Sequence, residues 1–190
     1  MSRKVNTDPT PRIAARLREE RRRRGWSLDQ LAGHAGVSKA MLSKLERGES
    51  SPTATLLGRI CGAYGLTMSA LVAIPGDHGG RLVRRAEQPV WRDPQSHYLR
   101  RQVSPLSDLP LQLVEVELPA GAEVTFPASA YTFIRQLVWV LVGRLDFVEG
   151  ETVHHLRAGD CLELGAPADC VFRNRGRSAC RYLVALTRRP

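Results

Sequence analysis

Apolar positions recur at helical spacing along the first 75 residues of the chain and change to strand-like spacing after them. From Ile13 onward, apolar side chains lie three or four positions apart, as in short amphipathic helices. Hydroxyl residues that favour helix starts alternate with glycines that favour helix ends. The start signals are Ser27, Ser38, Thr53 and Thr67, and the end signals are Gly25, Gly36, Gly48 and Gly65. The pattern predicts five short helices, the last of which ends near Val72.

Two of the predicted helices are unusually short and follow each other closely. Ser27 and Gln30 form the Ser-x-x-Gln pattern of a capping box, which places the second helix at 28–35. Ser38 caps a third helix, which is expected to run to about Arg47. A turn of only three or four residues separates the two helices. This spacing predicts a helix-turn-helix, in which the second helix lies in the major groove of DNA.

The pattern from about Arg81 onward is that of an all-β domain. Residues 111–118 alternate between apolar and polar side chains, as in a strand with one buried face. Residues 137–142 form a continuous apolar run, which predicts a strand buried on both faces. Further short strands follow at intervals of 8–12 residues, with glycine turns between them. This spacing predicts an antiparallel barrel or sandwich.

The composition is that of an ordinary globular protein. The 190 residues are 43% hydrophobic and 25% charged, which excludes bulk disorder. The apolar run at 137–142 is far shorter than the roughly 20 residues that a membrane-spanning helix needs. Residues 1–9 are polar and carry no apolar secretory core. We therefore expect a soluble cytoplasmic protein that has no membrane partner.

Four cysteines occur in the chain, at positions 61, 161, 170 and 180. None of them forms a Cys-x-x-Cys pair, so a tetrahedral zinc site is not expected. We interpret them as reduced, mostly buried thiols.

The basic excess is concentrated at the front of the chain. The formal net charge is +9, and residues 1–75 hold 13 Lys and Arg against 6 Asp and Glu. Residues 76–190 hold 15 against 13. Only 3 of the 28 basic residues are lysines, so an arginine-rich composition is one explanation of the total. It does not explain the asymmetry, which predicts that the front half binds a polyanion.

The helical part resembles the DNA-binding domain of Cro/cI-like regulators, the XRE family. The resemblance covers 12–73, preceded by a flexible arm at 1–11, and its most specific segments are 27–32 (SLDQLA), 36–38 (GVS), 45–48 (LERG) and 52–53 (PT). One position departs from the family, because Leu28 stands where many members carry a phosphate-binding glutamine. The family binds roughly palindromic operators as dimers, with half-sites about 34 Å apart.

The resemblance implies specific DNA contacts around the third helix. The side chains expected to face the groove are Lys39, Ala40, Ser43 and Lys44. The side chains expected to contact phosphate are Ser38, Arg47 and Arg24. Glu46 is expected to tie this helix to the rest of the domain. Alternatively, the same face is a solvated polar surface without a ligand.

The β part resembles a cupin, a small double-stranded β-barrel. The segments that carry the resemblance are 118–121 (LPAG), 139–145 (WVLVGRL) and 156–160 (LRAGD), followed by Pro167 and Asn174. It implies a cupin-like domain at 81–190 with its core at 108–186, joined to the helices by a linker at 74–80. Residues 81–107 are interpreted as a lead-in that covers the barrel.

Many cupins hold a divalent metal with three histidines and a glutamate, and this chain has lost those residues. Gln136 stands at the glutamate position and Cys170 at the position of the later histidine. The paired histidines fall either at 130 and 132, which are Ala and Thr, or at 129 and 131, which are Ser and Tyr. His154 and His155 are adjacent, so a strand would direct them to opposite faces. We therefore expect a barrel without a metal or other cofactor and without enzymatic activity.

The resemblance and the strand alternation together place an effector pocket in the barrel. The candidate lining residues are Tyr131, Gln136, Val138, Val140, Cys170 and Phe172, although each could equally be plain barrel core. Cys170 could in addition sense oxidants if nearby arginines lowered its pKa, but an inert buried thiol is the commoner case.

The sequence as a whole predicts a dimeric, DNA-binding transcriptional repressor with a five-helix head and an all-β cupin barrel. The barrel is expected to dimerise and to sense a small-molecule effector, with 74–80 as the hinge. Two alternatives stay open: a metal-dependent cupin enzyme with a DNA-binding appendage, and a ligand-independent repressor whose barrel is purely structural.

Overall fold

The computed structural model describes residues 9–72, 80–105, 107 and 109–189, and begins with five helices. Their bounds are α1 Thr10–Arg23, α2 Leu28–Ala35, α3 Lys39–Glu46, α4 Ala54–Tyr64 and α5 Met68–Val72. The five predicted helices are therefore confirmed. Helix α1 begins at Thr10, inside the arm that had been predicted at 1–11. Residues 1–8 of that arm, and the predicted linker apart from Gly80, lie outside the described residues.

Local capping explains where these helices begin. The Ser27 hydroxyl accepts from the Gln30 backbone N–H at 3.1 Å, and the Gln30 side chain accepts from the Ser27 N–H at 2.8 Å. This is the predicted capping box. Ser38 and Thr53 accept in the same way from Met41 and Leu56. Each cap satisfies an N–H that has no partner within its helix, so these short helices begin where the sequence predicts.

Ten strands form the second half of the described chain. They are β1 Val90–Arg92, β2 Leu99–Gln102, β3 Leu111–Leu118, β4 Glu123–Phe126, β5 Ile134–Val142, β6 Arg144–Glu149, β7 Thr152–Arg157, β8 Cys161–Glu163, β9 Cys170–Arg173 and β10 Cys180–Arg188. A single 3-10 turn, Ala128–Tyr131, precedes β5. The strands form two antiparallel sheets, ordered β1-β2-β3-β10-β5-β8 and β4-β9-β6-β7.

The two sheets face each other and enclose the barrel core. In β10, buried and half-buried residues alternate along the strand, as period two requires when one face is covered. Phe172 of the smaller sheet stacks on Tyr182 of the larger one, with ring centroids 5.5 Å apart. Phe147 lies 4.8 Å from Phe172 and is fully buried. The predicted all-β barrel is therefore confirmed.

One strand prediction is wrong for the single chain. The run at 137–142 was expected to be buried on both faces, but β5 alternates between buried and exposed residues. Leu137 is 41% exposed and Trp139 is 46% exposed on the outer face of the larger sheet. Val138 and Val140, which point inward, are fully buried. No described element of the same chain covers the outer face of this strand.

Helix α4 packs directly against the barrel. Its residues contact β4 and the 3-10 turn. A β-carbon built on Gly58 would lie 2.7 Å from the Phe126 ring, and one built on Gly62 would lie 2.7 Å from the Ser129 hydroxyl oxygen. Two glycines one turn apart on the helix therefore allow a backbone approach that larger residues would block.

Polar contacts reinforce this junction between the helices and the barrel. Asp93 is 2% exposed and accepts from the Ala54 N–H at the start of α4, while its other oxygen accepts from Gln95 and Ser96. Arg100 of β2 donates to the Ser69 hydroxyl of α5 at 3.0 Å. One continuous apolar core runs through both parts. The lead-in, predicted to cover the barrel, thus adds two strands to the larger sheet and also caps a helix of the head.

Among the described residues, no helix is both long enough and apolar enough to cross a membrane.

Candidate DNA interface and barrel cavity

Helix α3 has one buried face and one exposed face. Leu42 and Leu45 are each 1% exposed and pack into the helical core, and Glu46 is 6% exposed. Most of the predicted DNA-contacting side chains lie on the opposite side or at the helix ends. Those that are exposed are Ser38, Lys39, Ala40, Lys44 and Arg47, and Ser43 is half-buried. The structure therefore brings these six residues together on one accessible surface.

Two basic residues of this surface are held by carboxylates in the free protein. The Lys39 ammonium lies 2.7 Å from an oxygen of Asp29, and the Arg47 guanidinium donates to Glu49 at 2.8 Å. All four side chains are at least half exposed. Exposed pairs of this kind contribute little to stability and are screened by salt. A DNA phosphate could therefore replace either carboxylate at small cost.

A buried ion pair anchors the recognition helix to α1. The Arg21 guanidinium donates to both carboxylate oxygens of Glu46, each at 2.7 Å, and it also donates to the Trp26 carbonyl at 2.9 Å. Arg18 donates to the Glu46 carbonyl oxygen. This geometry matches the expected role of Glu46. It fixes the C-terminal end of α3, so the exposed face of the helix is held in one orientation.

Arg24 lies apart from this surface and has internal partners. Its guanidinium bonds to the Glu20 carboxylate and to the Tyr64 carbonyl, and it lies 4.7 Å from the centre of the Tyr64 ring. Its side chain is only 20% exposed. The phosphate contact of Arg24 stays a prediction, but the geometry favours a structural role that joins α1 to α4.

The head and the barrel together line a partly open cavity of about 60 Å³. The head contributes its roof from α4 and the turn into α5, through Gly58, Cys61, Leu66, Thr67 and Met68. The polar side chains of the barrel wall are Tyr98, Arg100, Tyr131, Gln136 and Tyr182. Its apolar side chains are Phe126, Ala130, Ile134, Phe172, Val184 and Leu186. A ligand bound here would therefore contact both parts of the protein.

Only half of the predicted effector residues line this cavity. Tyr131, Gln136 and Phe172 do, whereas Val138 and Val140 are fully buried elsewhere in the barrel. Cys170 is also buried outside the lining. Sequence reasoning missed Tyr98, Arg100 and Tyr182, as well as the whole roof. Period-two alternation in β2 and β10 could have indicated the first three, but nothing local indicated that α4 closes the barrel.

The environment of Cys170 does not favour oxidant sensing. Burial raises the pKa of its thiol to about 12, although a hydrogen bond from Tyr131 opposes this rise. The nearby arginines do not activate the thiol, because Arg173 pairs with Glu123 and Arg175 with Asp146. A protonated thiol is a poor nucleophile. The hypothesis of a lowered pKa at Cys170 is therefore wrong. Of the four cysteines, three are buried, as expected, and Cys161 is exposed.

The positions that the resemblance aligns with metal ligands hold other side chains than the usual histidines and glutamate. Gln136 offers a neutral amide, and the Cys170 thiol is hydrogen-bonded to Tyr131. Within the described part of the chain, no three His, Cys, Asp or Glu side chains come together as a metal site. The histidines of β7 also separate: His154 stacks on Phe147, and His155 bonds to Asp146.

Comparison with known proteins agrees with this architecture. Residues 12–73 match the family model described as a helix-turn-helix domain. The HTH-type transcriptional regulator SutR of Escherichia coli (strain K12) is 29% identical over 175 residues, which cover 90% of this chain and 91% of SutR. The HTH-type transcriptional regulator DdrOP3 of Deinococcus deserti is 39% identical over 61 residues, which cover 32% of this chain and 47% of DdrOP3.

A solved structure extends the likeness to the whole fold. The HTH_3 family transcriptional regulator from Vibrio cholerae superposes with a TM-score of 0.77 at 26% identity, covering 95% of this chain and 97% of the other. The structural agreement therefore includes the barrel as well as the head. Over most of its length this chain is therefore similar to HTH-type transcriptional regulators, and it joins a helix-turn-helix domain to a barrel of two antiparallel sheets.

Proposed function

We propose that the protein is a sequence-specific, dimeric DNA-binding repressor whose barrel senses a small-molecule effector without a metal. One observation carries the proposal. The head presents the polar face of α3 to solvent, and its α4–α5 side closes the barrel cavity. The element that would read DNA and the wall of the cavity therefore belong to one packed unit.

DNA reading is assigned to the N-terminal half and the exposed face of α3. Lysines can donate to guanine acceptors, and the Ala40 methyl group can pack on a thymine methyl. Ser38 and Arg47 lie at the two ends of the helix, where phosphates flank an inserted recognition helix. The basic excess of residues 1–75 favours the approach to DNA. Such a head reads one half-site, so a palindromic operator requires a second head.

The outer face of the larger sheet is the proposed dimer interface. Leu137 and Trp139 of β5 lie beside Ala185 and Leu183 of β10, and Leu113 of β3 continues the same row. We call these five residues the outer sheet patch. A second copy packed on this patch would bury the outer face of β5. This explains why the apolar run at 137–142 has the pattern of a strand covered on both sides.

Charges at the rim of the outer sheet patch suit a two-fold dimer. Arg135 precedes Leu137 on the same outer face, and Glu163 pairs with Leu137 across the β5–β8 ladder. A two-fold axis places the same patch on both subunits, so a basic and an acidic rim residue can meet their opposites. The occupant that fits this surface is therefore a second copy of the chain.

Effector sensing is assigned to the cavity under α4 and α5. Its volume of about 60 Å³ exceeds the roughly 10–15 Å³ that one water requires but is far below the about 300–1,000 Å³ of pockets for drug-sized ligands. An effector in this space would contact the wall formed by α4 and the turn into α5, which belongs to the head. Coupling of this kind typically changes affinity by about 5–150-fold, or 1–3 kcal/mol.

Selection of random duplex DNA by the purified full-length protein tests the DNA-binding role. We expect enrichment of a roughly palindromic site with half-sites about one helical turn apart. The Lys39→Ala plus Lys44→Ala variant should lose specific binding by at least about tenfold, since each good base contact is worth about 1–3 kcal/mol. Electrophoretic mobility shift at fixed salt measures the loss.

A matched control separates base reading from charge. Arg144→Ala plus Arg157→Ala removes two exposed positive charges from β6 and β7, which belong to the barrel and not to the head. This variant should keep its specificity for the selected site. The proposal fails if no sequence is enriched, or if both double variants weaken binding equally. Native mass spectrometry of the lysine variant should still report a dimer, and loss of the dimer would place the interface in the head.

A further inference from the structure

Arg100 brings a positive charge to the cavity wall without an acidic partner. Its side chain donates to the Ser69 hydroxyl at 3.0 Å and bonds to the Tyr98 phenol. Among residues 9–72, 80–105, 107 and 109–189, no carboxylate forms an ion pair with it. Its neighbour Arg101, on the opposite face of β2, lies 3.8 Å from Glu115. The charge of Arg100 is therefore available to a ligand.

Three tyrosines surround this guanidinium and line the same cavity. Burial raises the pKa of Tyr98, Tyr131 and Tyr182, and neighbouring phenols raise it further for the last two. The charge of Arg100 opposes the rise at all three. These phenols stay protonated near neutral pH. Tyr131 donates to the Cys170 thiol, and the O–H groups of Tyr98 and Tyr182 are the donors left for a ligand. Donors thus predominate around Arg100.

Gln136 adds a polar side chain that has no partner among the described residues. The residue is 8% exposed and lines the cavity. Its side-chain amide forms no hydrogen bond with the part of the chain that the structure describes. Buried polar side chains are normally satisfied by protein, water or a ligand. An amide left open toward a cavity therefore indicates that something in the cavity binds it.

The rest of the lining limits the chemistry of that ligand. Among the described residues, the cavity lining contains no Asp, Glu or His, and its apolar walls include Phe126, Ile134, Phe172 and Leu186. A cation, two phenolic donors and an apolar wall fit a small anion with a hydrocarbon part. A guanidinium matches the two oxygens of a carboxylate in particular.

We infer that the cavity binds a small organic carboxylate, with its charged group against Arg100 and its hydrocarbon part among the aromatic and aliphatic walls. The inference rests on the sensing role proposed above and names the class of the effector. The carboxylate would bind the guanidinium that also bonds to Ser69, so ligand binding reaches α5 of the head through a single side chain.

Three carboxylates of increasing size serve as probes: propionate, isovalerate and benzoate. Each has a neutral amide of nearly the same shape, namely propionamide, isovaleramide and benzamide. Isothermal titration calorimetry of the full-length dimer at constant ionic strength measures all six. We expect at least one carboxylate to bind at least tenfold more tightly than its amide. Arg100→Gln should weaken that binding at least tenfold.

Arg101→Gln is the matched control, because it removes the same charge from the outer face of the same strand. It should leave carboxylate binding unchanged. The inference is overturned if no carboxylate binds, if the amides bind as tightly as the carboxylates, or if the two arginine variants behave alike. Circular dichroism and thermal melting of each variant establish that Arg100→Gln is folded. Should it unfold, Gln136→Leu provides the second test, with a loss of at least threefold expected and unchanged affinity counting against the inference.

Failure of this inference is distinguishable from failure of the proposed function. Calorimetry measures carboxylate binding without DNA, and duplex selection measures DNA binding without a carboxylate. An enriched operator together with no carboxylate binding would overturn the ligand class alone. Carboxylate binding without any enriched duplex would overturn the DNA-binding role and leave the cavity assignment standing.

Discussion

Glu20 is a buried carboxylate that binds three arginines around the end of α1. It is 1% exposed, lies 2.7 Å from Arg16 and 2.9 Å from Arg23, and also bonds to Arg24. Burial by itself would raise its pKa, but the hydrogen bond from Arg24 and the three positive charges together lower it. Because Arg24 also bonds to the Tyr64 carbonyl, Glu20 indirectly joins α1 to α4.

Replacing this carboxylate should destabilise the protein in a pH-dependent way. Glu20→Gln is expected to lower the free energy of unfolding by about 1.5–3 kcal/mol at neutral pH, the range for hydrogen bonds to charged groups. A lowered pKa means that the stabilisation is present above the unfolded value of 4.5 and is lost as the pH falls through the folded value below it. The difference between the two proteins should therefore shrink below about pH 4.5.

Urea unfolding followed by circular dichroism at several pH values measures this difference. Glu19→Gln is the control, since Glu19 also pairs with Arg16 but is 63% exposed. It should cost no more than about 0.5 kcal/mol. Equal stability of Glu20→Gln and the wild type at neutral pH would show that the arginine cluster does not hold the head together.

The position of helix α4 against the barrel depends on residues that have a very small side chain or none. Ala54, Gly58 and Gly62 recur every four residues and form one small face of the helix. At Gly62 a β-carbon would approach the backbone carbonyl carbon of Ser129 to 3.0 Å. Backbone cannot move aside as a flexible side chain can. The small face therefore sets the distance between the head and the barrel.

The same substitution should have opposite effects at two helical glycines. Gly33→Ala on α2 meets open space and should stabilise the protein by up to about 1 kcal/mol, as alanine does in helices. Gly62→Ala should instead destabilise it by about 1–3 kcal/mol, because overpacking forces the helix away from the barrel. Thermal and urea unfolding of the two variants provide the comparison. A stabilising Gly62→Ala would mean that α4 is not closely packed on the 3-10 turn.

Features set by neighbouring residues could be predicted from the sequence, and features set by distant ones could not. The capping box of α2 and the alternation of β3 depend on residues a few positions apart, and both are confirmed. The docking of α4 depends on Phe126 and Ser129, more than 60 positions further along. Glycine has no side chain, so the pattern of apolar residues in the sequence does not indicate the small face of α4.

The candidate sites also divide into residues that local sequence patterns predict and residues that only the tertiary structure reveals. The exposed face of α3 followed from helical spacing and from the family resemblance, and the structure brings its members together. Half of the barrel list lies away from the cavity, mainly because Val138 and Val140 follow the inward alternation of β5 beyond the part of the strand that the cavity touches. Arg100 was missed because its position in the cavity depends on β2 joining the sheet next to β3.

At the scale of the whole molecule, the outer sheet patch should decide the number of subunits. Leu137→Ser plus Trp139→Ser is expected to convert the dimer to a monomer, because it replaces two exposed apolar side chains of β5 with polar ones. Size-exclusion chromatography with light scattering reports the mass. The monomer should bind the selected operator at least tenfold more weakly, since the second head is no longer tethered to the first.

Val153→Ser is the control for this variant. Val153 is 48% exposed on β7, which belongs to the other sheet. Its replacement should leave both the mass and the operator affinity unchanged. A dimer that survives the double change in β5 would place the interface on another surface, and the doubly covered pattern of 137–142 would then need another explanation.

The cap that Asp93 places on α4 bears on how such regulators can be recombined. The lead-in strand following the head in sequence supplies the acceptor for the first turn of a helix within the head. In a hybrid regulator, the boundary between the two parts therefore cannot be drawn where the helices end and the strands begin. A hybrid that joins this barrel to a foreign head would keep Asp93 but meet a different helix, unless that helix also carries small residues at the positions of Gly58 and Gly62. A head can therefore be exchanged between regulators only together with the lead-in that caps its α4 helix.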